Sequence, residues 1–466
     1  MPTPKFRLRT RTRSLTQVLP AALPFLILAC LFHPHAQADN GATAITSKPP
    51  SQKYFDETNP PFGAYDYSWM NGNNRQPPSL LTTGPLTFEL YVDGFYDYQF
   101  SKPKDHTIFP ATVAARHNEF GINLATIGVE VTGLDGPIGR LYLQEGINTE
   151  TDSGQDATTT RGYFLQQRSL LAIQQVGAGW HFHELDGINF EVGLFPSYVG
   201  LESYLPQENW NYLRPFLSDF TPYYFTGSRT QIFISPQTKL ELWLVNGWQT
   251  YGKFNEAFGI GYLYNWRPNG HFSLSHSIYD GSEEPADNQS NRFYTDNYLQ
   301  WQYYRGSAGG IIQSSAVSVV VDWGYETRGA NNRGGANGPM YGTSISNRIE
   351  YSPKWATTLR YDYYYDKTQA LVIAPPRASD GAQAAPIDYP NGPFQGSGYT
   401  ATVDFLPSPW LIYRLEYMHR EANFPIFSGH GGITSDNGLK GGSQNGFIPD
   451  LRQSDDRLVA NVTLRL

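Results

Sequence analysis

From residue 86 to the end of the chain, apolar side chains return at every second position for about 8–12 residues, break at Gly, Pro, Asn or Ser, and start again. A period of two separates side chains onto opposite faces of an extended strand. Between Leu86 and Phe100 one face carries Leu86, Phe88, Leu90, Val92, Tyr96, Tyr98 and Phe100, and the other Thr87, Glu89, Asp93, Asp97 and Gln99. Trp355, Leu359, Tyr361, Tyr363 and Tyr365 oppose Lys354, Arg360, Asp362 and Asp366. Leu411, Tyr413, Leu415 and Tyr417 oppose Arg414, Glu416 and Arg420. The last segment sets Leu458, Ala460, Val462, Leu464 and Leu466 against Arg457, Asn461, Thr463 and Arg465. No segment carries a 3.6-residue stripe over three turns, and after Asp39 no apolar run is long enough for a spanning helix.

This pattern predicts an all-β fold, a transmembrane antiparallel β-barrel whose strands put apolar residues toward lipid and polar residues toward the lumen. Only a closed barrel pairs every backbone N–H and C=O within hydrocarbon without a helix. A soluble sandwich, propeller or solenoid also alternates. Two features favour the barrel: the apolar face often ends in Tyr or Trp, as at Tyr96, Trp248, Trp266 and Tyr365, and charges of both signs stand mid-strand on the other face. Composition agrees. Charged residues are only 16% of the 466, below the ~25% of soluble domains. Aromatics reach 15%, with 32 Tyr, and a mean hydropathy of −0.44 excludes a helical membrane bundle.

The alternating segments number about 16, with 14 to 18 within reach of the pattern. They fall near residues 86–100, 119–132, 138–149, 163–176, 187–196, 228–235, 238–249, 256–267, 270–279, 292–304, 314–326, 341–351, 354–366, 397–407, 409–421 and 456–466. Short breaks at Ser235-Pro236-Gln237, Arg267-Pro268-Asn269-Gly270, Ser352-Pro353 and Pro407-Ser408-Pro409 read as periplasmic turns. Long polar stretches at Asp280–Ser290, Arg328–Gly338, Lys367–Gln395 and Ala422–Ser454 read as outer loops.

The first 38 residues read as a signal peptide: Lys5, Arg7, Arg9, Arg11 and Arg13, the apolar run Leu19–Phe32, then Ala36-Gln37-Ala38 before Asp39. A membrane anchor would need ~20 apolar residues, and this run is shorter and contains Pro20 and Pro24. Lipidation at Cys30 is disfavoured by the bulky Leu28. Cleavage removes five cations and no acid, so the formal charge moves from −8 to −13, and it removes the only cysteine. Disulfides and thiolate chemistry are thereby excluded from the exported chain. An acidic exported protein also lacks the clustered Lys and Arg that nucleic-acid binding needs, so no nucleic-acid partner is expected.

Residues 39–84 form an N-terminal arm rich in Pro, Gly and Asn, either periplasmic or packed into the barrel mouth; Tyr65, Tyr67 and Trp69 favour packing. Residues 85–466 are the barrel. Within it Tyr198–Tyr224, rich in aromatics and prolines, follows about the fifth strand and differs from the polar loops. It reads either as a loop folded into the lumen, with Glu202, Glu208, Arg214 and Asp219 at a pore constriction, or as a cover over the mouth. Expected lumen-lining charges are Glu89, Asp93, Asp97, Arg360, Asp362, Arg414, Glu416 and Arg420.

No G-x-S-x-G elbow, H-E-x-x-H, Walker loop or strand-to-helix GxGxxG occurs, so no enzyme, catalytic residue or cofactor is expected. No metal site is expected either. His181, His183 and Glu184 share a strand region but read better as loop-end polar residues. Asp280, Glu283, Glu284 and Asp287 match no calcium loop, and His419 reads as a membrane-interface residue rather than a partner in a barrel hydrolase.

The chain resembles the β-barrel porin-2 family of Gram-negative outer membranes. The resemblance is carried by Trp69-Met70-Asn71-Gly72 through Arg75, Tyr91-Val92-Asp93-Gly94-Phe95-Tyr96, Gly193-Leu194-Phe195 with Gly200-Leu201-Glu202, and Asn211–Arg214. It continues in Thr226-Gly227-Ser228-Arg229, Val245-Asn246-Gly247-Trp248 with Asn255, and Arg414-Leu415-Glu416-Tyr417. It implies an outer-membrane pore with no catalytic residues. The reading adopted is a water-filled barrel in outer-membrane lipid that passes small hydrophilic solutes or ions, with a homo-oligomer as a further expectation. One departure is the terminal Leu466, where such barrels commonly end in Phe or Trp. The three acids and one Arg at the constriction lean toward cations. A non-conducting barrel with a structural or ligand-binding role is the alternative, and a soluble carbohydrate binder a third reading.

Overall fold

The computed structural model describes residues 62, 65–73, 79–131, 136–153, 156, 158, 163, 169–203, 205–284, 289–307, 310–327, 337–373, 389–439 and 447–466. The expected signal peptide, most of the arm and Asp287 lie outside them.

Alternation is realised as sixteen long antiparallel strands. The first eight are β1 (Leu86–Gln99), β2 (Glu119–Val131), β3 (Pro137–Glu145), β4 (Ile173–Phe182), β5 (Ile188–Pro196), β6 (Tyr224–Ser235), β7 (Thr238–Val245) and β8 (Gly259–Asn269). The second eight are β9 (Phe272–Gly281), β10 (Asn291–Arg305), β11 (Ser314–Thr327), β12 (Asn337–Ser352), β13 (Trp355–Asp366), β14 (Phe394–Ser408), β15 (Leu411–Ala422) and β16 (Ser454–Arg465). Each strand pairs with the next, and β16 returns to β1 from Arg457↔Gln99 to Arg465↔Tyr91. The sheet therefore has no open edge, as the expected barrel requires.

The short turns beside Pro236, Pro268, Pro353 and Pro409 all fall on one rim; Pro236, Pro353 and Pro409 lie in the turns themselves and Pro268 at a register shift next to its turn, positions that need no ladder N–H. Connections 99–119, 145–173, 196–224, 366–394 and 422–454 leave from the other rim. The outer face exposes Ile127, Leu143, Leu242, Ile260, Val321, Leu359, Val403 and Leu415. Apolar exposure on that scale is a liability in water and a requirement in lipid.

Three local departures from the sequence reading have physical causes. The fourth strand is not 163–176 but Ile173–Phe182; Gly177 and Gly179 give no polarity contrast to read, and the Phe195 ring lies 2.7 Å from where a Cβ on Gly177 would be. The third ends at Glu145 and passes into a short helix, α1 (Ile147–Ser153), whose Asn148, Thr149, Asp152 and Ser153 are buried. Trp248 lies beyond β7, not on its apolar face, and is buried edge-on against Tyr279 and Tyr294.

The interior is not simply polar. Phe195, Tyr198, Phe216, Phe220, Trp243, Tyr279, Tyr294, Tyr364 and Phe394 belong to one buried cluster inside the barrel. Much of the aromatic content thus packs within the barrel rather than in a belt around it.

If the outer face meets lipid, Leu359→Arg near the middle of β13 should cost about 2–4 kcal/mol in reversible folding into phospholipid vesicles. The neighbouring inner-face change Thr358→Ser keeps the hydroxyl that accepts from Arg348 and removes one buried methyl, so it should cost only about 1 kcal/mol. Equal costs at the two sites would contradict the assignment of faces.

Candidate functional site

Residues 197–223 join β5 to β6, and their sequence forbids a regular element. Pro206, Pro215 and Pro222 interrupt any ladder or helix, and Gly200 takes a φ of 100°. What forms instead is a chain of single turns. The Asn209 side chain closes on Ser203, accepting from its N–H at 2.8 Å and donating to its C=O at 3.0 Å. Pro206–Glu208 makes one 3₁₀ turn, and after Pro215 comes one helical turn, α2 (Phe216–Asp219). Trp210, Tyr212, Leu213, Phe216, Leu217 and Phe220 are all buried, so this segment is threaded through the inside of the barrel.

An irregular backbone buried in this way leaves polar groups that no ladder satisfies. The inner-wall charges satisfy them. The Glu416 carboxylate accepts from two successive amides, Tyr212 at 2.6 Å and Leu213 at 2.7 Å. Asp362 accepts from the Phe216 N–H at 3.0 Å. Arg414 donates to the Pro206 and Asn209 carbonyls at 2.5 and 2.6 Å while pairing with Asp404 at 2.9 Å. Arg360 donates to the Leu213 carbonyl at 2.8 Å, and Arg420 to the Arg214 carbonyl.

Of the remaining expected lumen residues, Asp93 and Asp97 are fully buried and Glu89 half-buried. Asp93 accepts from Asn123, Tyr212, Asn461 and Thr463 at 2.9–3.1 Å. Asp97 pairs with Arg457, and Glu89 with Arg465 at 2.7 Å. Of the four expected constriction residues, three gather. Glu202 lies 3.4 Å from Arg360, Asp219 lies 2.8 Å from Arg420, and Arg214 covers the Tyr223 ring at 4.5 Å. Glu208 stands apart, 2.6 Å from Arg465.

A second segment enters from the short-turn rim. Tyr67, Trp69 and Met70 are buried, while Tyr65 stays exposed. Trp210 donates its indole N–H to the Trp69 carbonyl at 3.0 Å and its backbone N–H to Asn71 Oδ1 at 2.7 Å. Gly72, at a φ of 68°, passes so close that a Cβ would sit 2.0 Å from the Leu201 carbonyl oxygen. On the long-loop side an open cleft of about 210 Å³ remains, lined among others by Asp219, Trp248, Glu283, Arg292 and Glu326.

Sequence reading did not single out Arg348 and Asp404, which pair at 2.7 Å, nor Arg457 and Arg465 as anchors. Their inward parity was the available signal. The minor candidates separate: His181 bonds Asn189 at 2.7 Å with the His183 ring 5.0 Å away. Asp280 accepts from Asn291 at 2.6 Å while Glu283 accepts from Tyr279. His419 lies on the outer face, 2.9 Å from Asp456. Among the described residues no three His, Cys, Asp or Glu gather as a metal set.

A closed sixteen-strand barrel with a lipid-compatible outer face and a loop within it defines an outer-membrane β-barrel of the porin class. The profile of the family described as "Putative beta-barrel porin-2, OmpL-like" matches residues 85–451, and the chain belongs to that family. No curated protein matches the sequence significantly. Among solved structures it is similar to the outer-membrane channel DcaP of Acinetobacter baumannii, at 10% identity and TM-score 0.47 over 84% of this chain and 100% of that one. It is also similar to OmpT of Vibrio cholerae (9%, 0.47, 83% and 99%) and to an anion-selective porin from Comamonas acidovorans (9%, 0.46, 82% and 99%).

Two outcomes follow from the anchoring. Glu416→Ala strands two buried loop amides, each worth about 1–3 kcal/mol when unpaired, so it should destabilise the folded barrel by about 2–6 kcal/mol in urea titration. Burial lifts the Glu202 carboxyl to about 7 from its ordinary 4.5, against the pull of Arg360 and Arg214. The fold therefore favours the protonated form, with a contribution complete below 4.5 and lost as pH rises through about 7. Thermal unfolding across that window should shift in the wild type and be flatter in Glu202→Gln.

Proposed function

We propose that this outer-membrane porin passes small hydrophilic solutes passively, as a channel rather than a catalyst, and that the β5–β6 loop sets the width and charge of its path. The observation that carries this reading is the seating of Glu202, Arg214 and Asp219 between Arg360 and Arg420 within the barrel. With Glu208, the loop brings three acids and one arginine, which supports a preference for cations. A polar path lowers the cost of moving hydrophilic solutes across hydrocarbon, and fixed charge beside it selects among ions. Residues 1–38 would be removed on export and residues 39–84 would lie on the periplasmic side, their Trp69 region steadying the loop. Outer-membrane lipid covers the outer face, part of which a homo-oligomer would bury.

The near-complete burial of Asp93, Asp97, Glu416 and Arg420 favours a second reading, a barrel held shut by its own loop. Planar-bilayer recording separates the two. Deleting Ser203–Leu217 should raise single-channel conductance, and the wild type should give cation-selective reversal potentials in a salt gradient. Unchanged conductance would sink the constriction, and anion selectivity would overturn the charge preference. A wild type that is silent until the loop is deleted would establish the shut barrel.

A further inference from the structure

The inner-wall acids described so far each have a cation or a full set of donors: Arg457 for Asp97, Arg465 for Glu89, four hydrogen bonds for Asp93. Asp296 on β10 and Asp322 on β11 have neither. They are direct cross-strand partners, which places their Cβ atoms about 4.5–5.5 Å apart. Both are fully buried. Asp322 Oδ2 accepts from the Tyr294 hydroxyl at 2.8 Å. The two carboxyls lie within hydrogen-bonding reach of each other, but beyond that mutual contact Asp322 Oδ1 and both oxygens of Asp296 meet no donor of normal geometry. The Gly200 amide of the inner loop approaches Asp296 without closing a bond of normal geometry.

The surroundings supply oxygen and no charge. On the other side of Asp296 its cross-strand partner is Ser277 of β9, also fully buried, with an unpartnered hydroxyl. Beyond Asp322 the β12 partner is Gly342, which offers no side chain. The nearby imidazole, His276, belongs to the outer face, where it bonds Asn297 and Tyr262 at 2.6 and 2.8 Å. Like charges directly opposite each other destabilise a sheet, and buried charges are ordinarily paired or coordinate metals.

We propose that Asp296, Asp322 and Ser277 bind a hard divalent cation on the barrel wall, calcium being the ion their chemistry suits. The donors are all oxygen, the class hard cations prefer, and two carboxylates balance a double positive charge. Carboxylate oxygens, the serine hydroxyl and water complete a flexible shell that calcium tolerates better than magnesium. The site is independent of whether the barrel conducts.

Terbium(III) luminescence tests it, since Tyr294 touches Asp322 and can sensitise the ion. The full-length exported chain, refolded in detergent free of lipopolysaccharide and treated with chelator, should show saturable tyrosine-sensitised emission that calcium displaces. Asp296→Asn and Asp322→Asn should each weaken terbium binding by at least about tenfold, and the double variant should abolish it. Ser277→Ala should weaken it less. Heat-modifiable migration reports folding. In chelator each asparagine variant should unfold no earlier than the wild type, and calcium should raise only the wild-type midpoint above that of the double variant. No saturable emission from the folded wild type, or undiminished emission from the folded double variant, would overturn the proposal.

Discussion

The interaction on which the rest of this structure depends is between charged wall side chains and the backbone of an irregular segment buried inside the barrel. Residues 197–223 cannot pair with a strand or close a helix, yet they are removed from water. Glu416, Asp362, Arg414, Arg360 and Arg420 take up that backbone's polar groups. Charge-assisted hydrogen bonds are the strong ones, about twice their neutral counterparts. Arg360 pairs with Glu202 and Asp362, Arg414 with Asp404 and Arg420 with Asp219, while Glu416 is held by the two loop amides and the Thr402 hydroxyl.

This changes what the inner-face charges mean. Read as free side chains around water, they would tune ion passage. Found as anchors, they fix the position of a segment that obstructs the lumen, and changing them is expected to act on fold and passage together. The anchors concentrate on β12 to β16, where Arg348, Arg360, Arg414, Arg420, Arg457 and Arg465 face inward. On β10 and β11 the wall also presents Asp296 and Asp322, which face each other without a cation. Trp69 and Asn71 close the arrangement from below by holding Trp210.

Much of the fold could be read from period alone. A two-residue repeat specifies both strand and face, so the number of strands and the Pro-bearing turns came through, and so did the inward set from Glu89 to Asp97. What period cannot carry is a face built of glycine, which hid the start of β4 at Ile173. It also cannot tell an aromatic for the membrane from one for the interior: Tyr96 lies on the outer face of β1, whereas Tyr364 is buried among the inner-face residues of β13. The site was partly legible. The composition of Tyr198–Tyr224 marked it as a packed segment, and Glu202, Arg214 and Asp219 do converge. That Glu208 stands apart with Arg465, and that Glu416 catches two amides, depends on how a distant strand crosses the loop, which no local pattern encodes.

The central claim is that the inner loop is held as firmly as the sheet because its backbone is bonded to wall charges. Amide hydrogen exchange at Tyr212, Leu213 and Phe216, measured on the folded protein in lipid nanodiscs, tests this most directly. Protection comparable to that of strand amides such as those of β13 is the expected result. Exchange as fast as at the exposed Ile448 would contradict it.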